Sequence, residues 1–120
     1  MAKTRILLVD DEELVRRSLE ANLREEGFEL ASAASAEEAL AILQEQPCDL
    51  LLTDYLMEGM TGIELLKKTK ELYPQVKIIV FSGYEGKDSS EEILRLGANG
   101  FLCKPIDFDE LLARIAEVLA

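Results

Sequence analysis

Four short apolar runs, each unbroken rather than alternating, limit what this chain can build: Arg5–Val9, Asp49–Thr53, Lys77–Phe81 and Gly100–Cys103. A weaker fifth lies at Phe28–Ala33. A strand with one wet face alternates polar and apolar residues. A strand that is apolar throughout needs cover on both faces, as in parallel sheets flanked by helices. The intervening segments can supply that cover. Ser35–Glu38, Thr61–Glu64 and Ser89–Glu92 match the S/T-x-x-E capping box, and Asp107–Glu110 is its close relative. Gly27 and Gly97 stand where the first and fourth helices should stop, and Pro74 follows the third. Leu111, Leu112, Ile115, Val118 and Leu119 form an i, i+3/i+4 stripe that would face the sheet.

Five strand–helix repeats with right-handed crossovers predict an open α/β sheet in one domain spanning 1–120. A chain of 120 residues has no room for an eight-stranded α/β barrel. Ligands of open sheets bind beyond the carboxyl ends of the strands, near the reversal in strand order. The first strand should end in Asp10–Asp11, the third in Asp54, the fourth in Ser82 and the fifth in Lys104–Pro105. Taken singly, each has an ordinary structural role: acids suit helix N-termini, Asp and Ser suit turns, and lysines are usually solvated. On one rim they mean more. Carboxylates held within about 4–6 Å repel by several kcal/mol per pair, so a proton or a cation must join them. Oxygen ligands beside an open face favour Mg²⁺. A carboxylate beside such an ion can accept a phosphoryl group, with a lysine and a hydroxyl meeting the phosphoryl oxygens. Asp54, closing the run LLLTD, therefore reads as a phosphoryl acceptor.

Charge and composition remove other classes. Asp and Glu outnumber Lys and Arg 24 to 13, a net charge of −11 that repels nucleic-acid phosphates, so no direct nucleic-acid binding is expected. The longest apolar run, Ala39–Leu43, is far short of the ~20 residues of a membrane span. The opening MAKTRILLVDDEE breaks into acids at once, unlike a signal peptide, and a cytoplasmic location is expected. Cys48 and Cys103, without a histidine in the chain, are poor material for zinc. Both are expected as small buried hydrophobes, kept from pairing by an intervening strand.

The set ILLVDDEE, LLLTDYLMEGMTG, IIVFSG and GFLCKP resembles the response-regulator receiver domain of two-component signalling, of the CheY-like kind, over nearly the whole chain. The resemblance implies a flavodoxin-like, doubly wound (βα)5 fold with a five-stranded parallel sheet ordered 2-1-3-4-5. It implies that Asp54 is the phosphoacceptor and that Asp10 and Asp11 hold Mg²⁺, directly or through water. The backbone carbonyl of Leu56 would complete the protein ligands. Lys104 would contact the phosphoryl oxygens, Ser82 would be the switch hydroxyl and Phe101 the switch aromatic. The peptide before Pro105 would be cis, and Leu56 and Tyr84 would border the approach of water and tune the lifetime of the aspartyl phosphate. A histidine kinase or phosphotransfer protein would be the donor. The output domain or target is not identified by these residues. Helix four, strand five and helix five would meet a partner, or a second copy after phosphorylation. By the same resemblance the chain is not an enzyme beyond catalysing its own phosphorylation and dephosphorylation.

Two positions depart from the family pattern: Glu58 replaces a common proline, and Thr61 replaces an aspartate while keeping a helix cap. Rival readings fit less well. A haloacid-dehalogenase-type phosphatase wants Asp-x-Asp and usually a cap domain, whereas Asp10 and Asp11 are adjacent. An FMN binder needs a Ser/Thr/Gly-rich phosphate loop where this chain has Asp10-Asp11-Glu12-Glu13. The alternative is a pseudo-receiver, an interaction module never phosphorylated; such modules tend to lose an acid, the acceptor or the lysine, and this chain keeps all of them.

Overall fold

A computed structural model of the protein describes residues 3–55, 61–83 and 90–120. Five strands alternate with five helices: β1 Arg5–Val9, α1 Glu13–Glu25, β2 Glu29–Ala33, α2 Ala36–Glu45, β3 Leu50–Asp54, α3 Gly62–Leu72, β4 Lys77–Ser82, α4 Ser90–Arg95, β5 Gly100–Cys103 and α5 Phe108–Leu119. The strands form one parallel sheet in the order β2-β1-β3-β4-β5. Successive residues of each central strand enter opposite cores, which is why the runs contain no polar alternation. Leu7, Val9, Leu51, Ile78 and Val80 join Ala39, Leu43, Leu65, Leu66 and Ile93 of α2, α3 and α4. Ile6, Leu8, Leu50, Leu52, Ile79 and Phe81 join Leu19 and Leu23 of α1 and Leu111 and Ile115 of α5.

The expected helix starts are built as the capping residues imply. Ser35 Oγ accepts from the Glu38 amide at 3.1 Å, Thr61 and Glu64 form a reciprocal capping box, and Asp107 Oδ1 accepts from the Asp109 amide at 2.9 Å. The Ser89–Glu92 cap falls partly outside the described residues. Gly27 and Gly97, at φ +96° and +114°, take the left-handed backbone that ends α1 and α4 at little steric cost.

The strands depart from the apolar runs by a residue at four limits, each for a backbone reason. β3 gains Asp54, which pairs with Phe81, and sheds Asp49, whose carboxylate accepts from the Arg5 amide at 2.9 Å. β4 gains Ser82, opposite Cys103. β2 begins after Phe28, whose amide instead bonds to the Leu23 carbonyl at the end of α1. β2 is an edge strand and half-exposed, which accounts for its weak apolar signal. No helix among the described residues is long and apolar enough to cross a membrane.

The cysteines require a correction. Both are free, and Cys48 is buried as expected, but Cys103 is exposed because it closes the edge strand β5. Burial pushes the Cys48 thiol up to about 11. A thiol reagent at neutral pH should therefore modify one cysteine quickly in the native protein, mapped to Cys103, and the second only after denaturation. Two equally fast thiols, or none without reductant, would contradict this packing.

Candidate functional site

β1 leads to β2 on one side and pairs with β3 on the other, so the order of the sheet reverses between β1 and β3. Asp10 follows β1 and Asp54 ends β3, with Val9 opposite Thr53, and both carboxylates therefore arrive at that switch point. One carboxylate oxygen from each of Asp10, Glu12 and Asp54 lies within 4.8 Å of the others. Asp10 is 0% exposed and Asp54 5%.

Local backbone chemistry places each group. Asp10 Oδ1 accepts from the Glu12 amide at 2.8 Å, a turn that brings Glu12 back over the rim. The Lys104 amide donates to the Ser82 carbonyl at 2.6 Å, tying the end of β5 to that of β4, and the Lys104–Pro105 peptide is cis. The Lys104 ammonium lies 3.0 Å from Asp54 Oδ2, 3.4 Å from Glu12 Oε1 and 3.7 Å from Asp10 Oδ2, and 5.5 Å from the centre of the Phe81 ring. Gly62, the first residue of α3, donates to the Tyr55 carbonyl at 3.0 Å and packs directly on the Asp54 carbonyl.

The electrostatics are those of crowded acids with a lysine among them. Burial raises the Asp10 carboxyl above its ordinary range; the Glu12 amide and Lys104 oppose this, while the charges of Asp54 and Glu12 add to it. Burial pulls the Lys104 ammonium down, but its bond to Asp54 and the charges of Asp54, Asp10 and Glu12 outweigh that and raise it. Two buried oxygens at this rim, Asp10 Oδ2 and Ser82 Oγ, have no hydrogen-bond partner among the described residues. An oxygen donor set with a buried, under-bonded carboxylate fits a hard divalent cation such as Mg²⁺.

The sequence-derived residues are only partly gathered. Asp10, Asp54 and Lys104 meet, and Ser82 is buried beside them at the end of β4. Asp11 is exposed, and its carboxylate is not part of the acidic group; Glu12 stands there instead. Phe101 is half-buried against the core on the α4 side, and its carbonyl accepts from Arg114 Nη1 at 3.2 Å. Leu56 and Tyr84 lie outside the described residues. Two residues escaped the sequence reading, Glu12 and Arg16. Arg16 Nη1 donates to the Asp10 carbonyl at 2.9 Å. A groove of about 860 Å³ adjoins the acids, with Glu12 and Lys104 among its lining residues beside the apolar Leu14, Val15, Leu19 and Ile106.

An unrelieved buried charge has a measurable cost. With its folded value raised, Asp10 binds its proton more tightly in the folded than in the unfolded protein. The penalty is absent at low pH, grows as pH rises above about 3.8, the ordinary value, and is constant above the folded value. Asp10→Asn should stabilise the protein in EDTA at pH 7, with the gain vanishing as pH falls below the ordinary carboxylate range. Urea melts across that range check it; a gain that does not change with pH would mean that charge is not the cause.

The chain matches the family model described as the response regulator receiver domain over residues 6–116. It is 39% identical over 115 residues to the transcriptional regulatory protein ZraR of Escherichia coli K12, covering 96% of this chain and 26% of that protein. The chain thus spans about a quarter of the length of the curated relatives it matches. Among solved structures, a CheY-like receiver domain protein from Methanospirillum hungatei superposes with a TM-score of 0.92 at 36% identity, covering 98% of this chain and 94% of that one. The receiver domain of NtrX from Brucella abortus gives 0.90 at 30% identity, with coverages of 95% and 97%.

Proposed function

Because the chain belongs to the response regulator receiver domain family, we propose that it works as a phosphoacceptor, taking a phosphoryl group onto Asp54 from a histidine kinase or phosphotransfer protein. The observation that carries this reading is the Asp54 carboxylate at the buried end of β3, 3.0 Å from the Lys104 ammonium and grouped with Asp10 and Glu12. An oxygen of Asp54 attacks phosphorus in line; the bond from phosphorus to the donor breaks, and the donor keeps the electron pair. Lys104 is released from Asp54 to the phosphoryl oxygens, and the Ser82 hydroxyl gains an acceptor there for its proton. Asp10, Asp54 and Glu12 would hold the metal, joined on the family pattern by Asp11 and the Leu56 carbonyl. Mg²⁺ in that position supplies positive charge against the phosphoryl oxygens and relieves the repulsion among the acids. Once Ser82 moves, Phe101 turns inward behind it and alters the face made by α4, β5 and α5, biasing an equilibrium that already exists. The chain then acts as a switch and catalyses only its own phosphorylation and dephosphorylation.

The test is intact mass after incubation with acetyl phosphate. One phosphoryl mass should appear with Mg²⁺ and none with EDTA, and the modified peptide should contain Asp54. A protein that keeps its mass under both conditions would instead be an interaction module on this fold.

A further inference from the structure

The acid pocket depends on one turn, Asp10 to Glu12, and the bonds that hold this turn come largely from the start of α1. The Glu12 amide donates to Asp10 Oδ1 at 2.8 Å, and the Arg16 amide donates to the Glu12 carbonyl at 3.0 Å. Upstream, the Asp10 amide donates to the Ala33 carbonyl at 3.2 Å. The Asp10 carbonyl is held by a side chain, Arg16 Nη1 at 2.9 Å. That bond fixes the peptide between Asp10 and Asp11, and so the direction in which both residues' side chains leave the backbone. We propose that Arg16 is a positioning residue for the metal pocket, acting through the Asp10 carbonyl rather than on the ligand itself.

The physical reason is specific to this pocket. Asp10 and Asp54 are buried and Glu12 lies close to both, so the part of their mutual repulsion that Lys104 does not offset pushes the turn outward whenever no metal ion is present. The turn needs an anchor that does not neutralise the carboxylates, because pairing with them would compete with the ion. A guanidinium on the backbone carbonyl meets that need, since it binds an uncharged oxygen and leaves Asp10 Oδ2 without a hydrogen bond, as observed. Its neighbour Arg17 differs: it is exposed and pairs with Glu13 at 3.0 Å, one turn earlier on the helix. The two arginines therefore carry the same charge one residue apart, and only one of them reaches the turn.

This inference rests on the proposed Mg²⁺ site, and the test separates the two. Mg²⁺ binding by calorimetry, and the Mg²⁺ concentration giving half-maximal labelling by acetyl phosphate, are measured for the parent, Arg16→Ala, Arg16→Lys and Arg17→Ala. Outer groups that orient metal ligands are typically worth ten- to a hundredfold in affinity, and one acting through backbone belongs at the low end. Arg16→Ala should bind Mg²⁺ about tenfold more weakly, with labelling largely restored at saturating Mg²⁺. Arg16→Lys, which can still donate to the carbonyl, should recover part of the loss, and it serves alone if the alanine variant does not fold. Arg17→Ala should bind as the parent does. Equal binding by the parent and both Arg16 variants, or an equal loss in Arg16→Ala and Arg17→Ala, would overturn the positioning role and leave the site intact. Absence of Mg²⁺ binding by the parent would overturn the reading of the site, and this proposal with it.

Discussion

Asp54→Asn protein is expected to gain no phosphoryl mass from acetyl phosphate and Mg²⁺ under conditions that label the parent fully. Asparagine has nearly the same shape as aspartate and keeps an oxygen for hydrogen bonding, so the fold and the end of β3 should survive. It lacks the charged, nucleophilic oxygen, and the step that forms the new bond to phosphorus has no substitute for it. A loss of more than about a thousandfold in labelling rate is expected, or over ~4 kcal/mol in the barrier. Stability should change little, because Lys104 loses its nearest partner at 3.0 Å while a crowded acid is neutralised. Mass spectrometry of the two proteins side by side decides the matter. Persistent labelling of Asp54→Asn would move the acceptor to another acid of the group.

Gly62→Ala should be the most damaging small substitution near the site. A Cβ on Gly62 would overlap the Asp54 carbonyl oxygen and lie 3.0 Å from Tyr55 Cα. Both are backbone atoms that cannot rotate away, so either the start of α3 or the end of β3 must shift. Alanine in a helix is ordinarily better than glycine by about 0.5–1 kcal/mol, and here the overlap reverses the sign. A net loss of about 3 kcal/mol is expected, in the upper range for overpacking. Where the end of β3 is the part that yields, Asp54 itself is displaced, and phosphorylation should also slow, by as much as about a hundredfold for an ångström of displacement. Urea melts and a labelling time course at a temperature where both proteins are folded separate the two effects. An alanine variant as stable and as quickly labelled as the parent would show that this contact yields easily.

Most of the architecture was legible because burial on two faces writes itself into composition. The runs ending at Val9, Thr53 and Phe81 carry no polar residue inside them, and the capping residues Ser35, Thr61 and Asp107 mark helix starts locally. The order of the strands is not a local property, and it came from the resemblance of the rim motifs to a family. The ends of the third and fourth strands at Asp54 and Ser82 were legible, because a polar side chain does not stop its backbone from pairing with a neighbour. Cys103 was misplaced: an apolar run was taken as buried, but its last residue sits on an edge with no strand beyond it. Within the site, Asp10, Asp54 and Lys104 were found because they stand directly at strand ends. Glu12 and Arg16 reach the site by a turn and by a long side chain, and no periodicity announces either.

The strand order also decides where movement can go. Asp10 follows β1 and Asp54 ends β3, each strand bonded to a neighbour along both edges, whereas Ser82 is on β4 and Phe101 on β5, whose outer edge meets no strand among the described residues. The middle of the sheet is thus a clamped beam and β5 its free end. Under the proposed switch, a small displacement imposed at the clamp would pass along β4 to that edge. On the proposed switch reading, the reactive atoms and the surface that would deflect are divided between the fully paired middle and an open edge of one continuous plate.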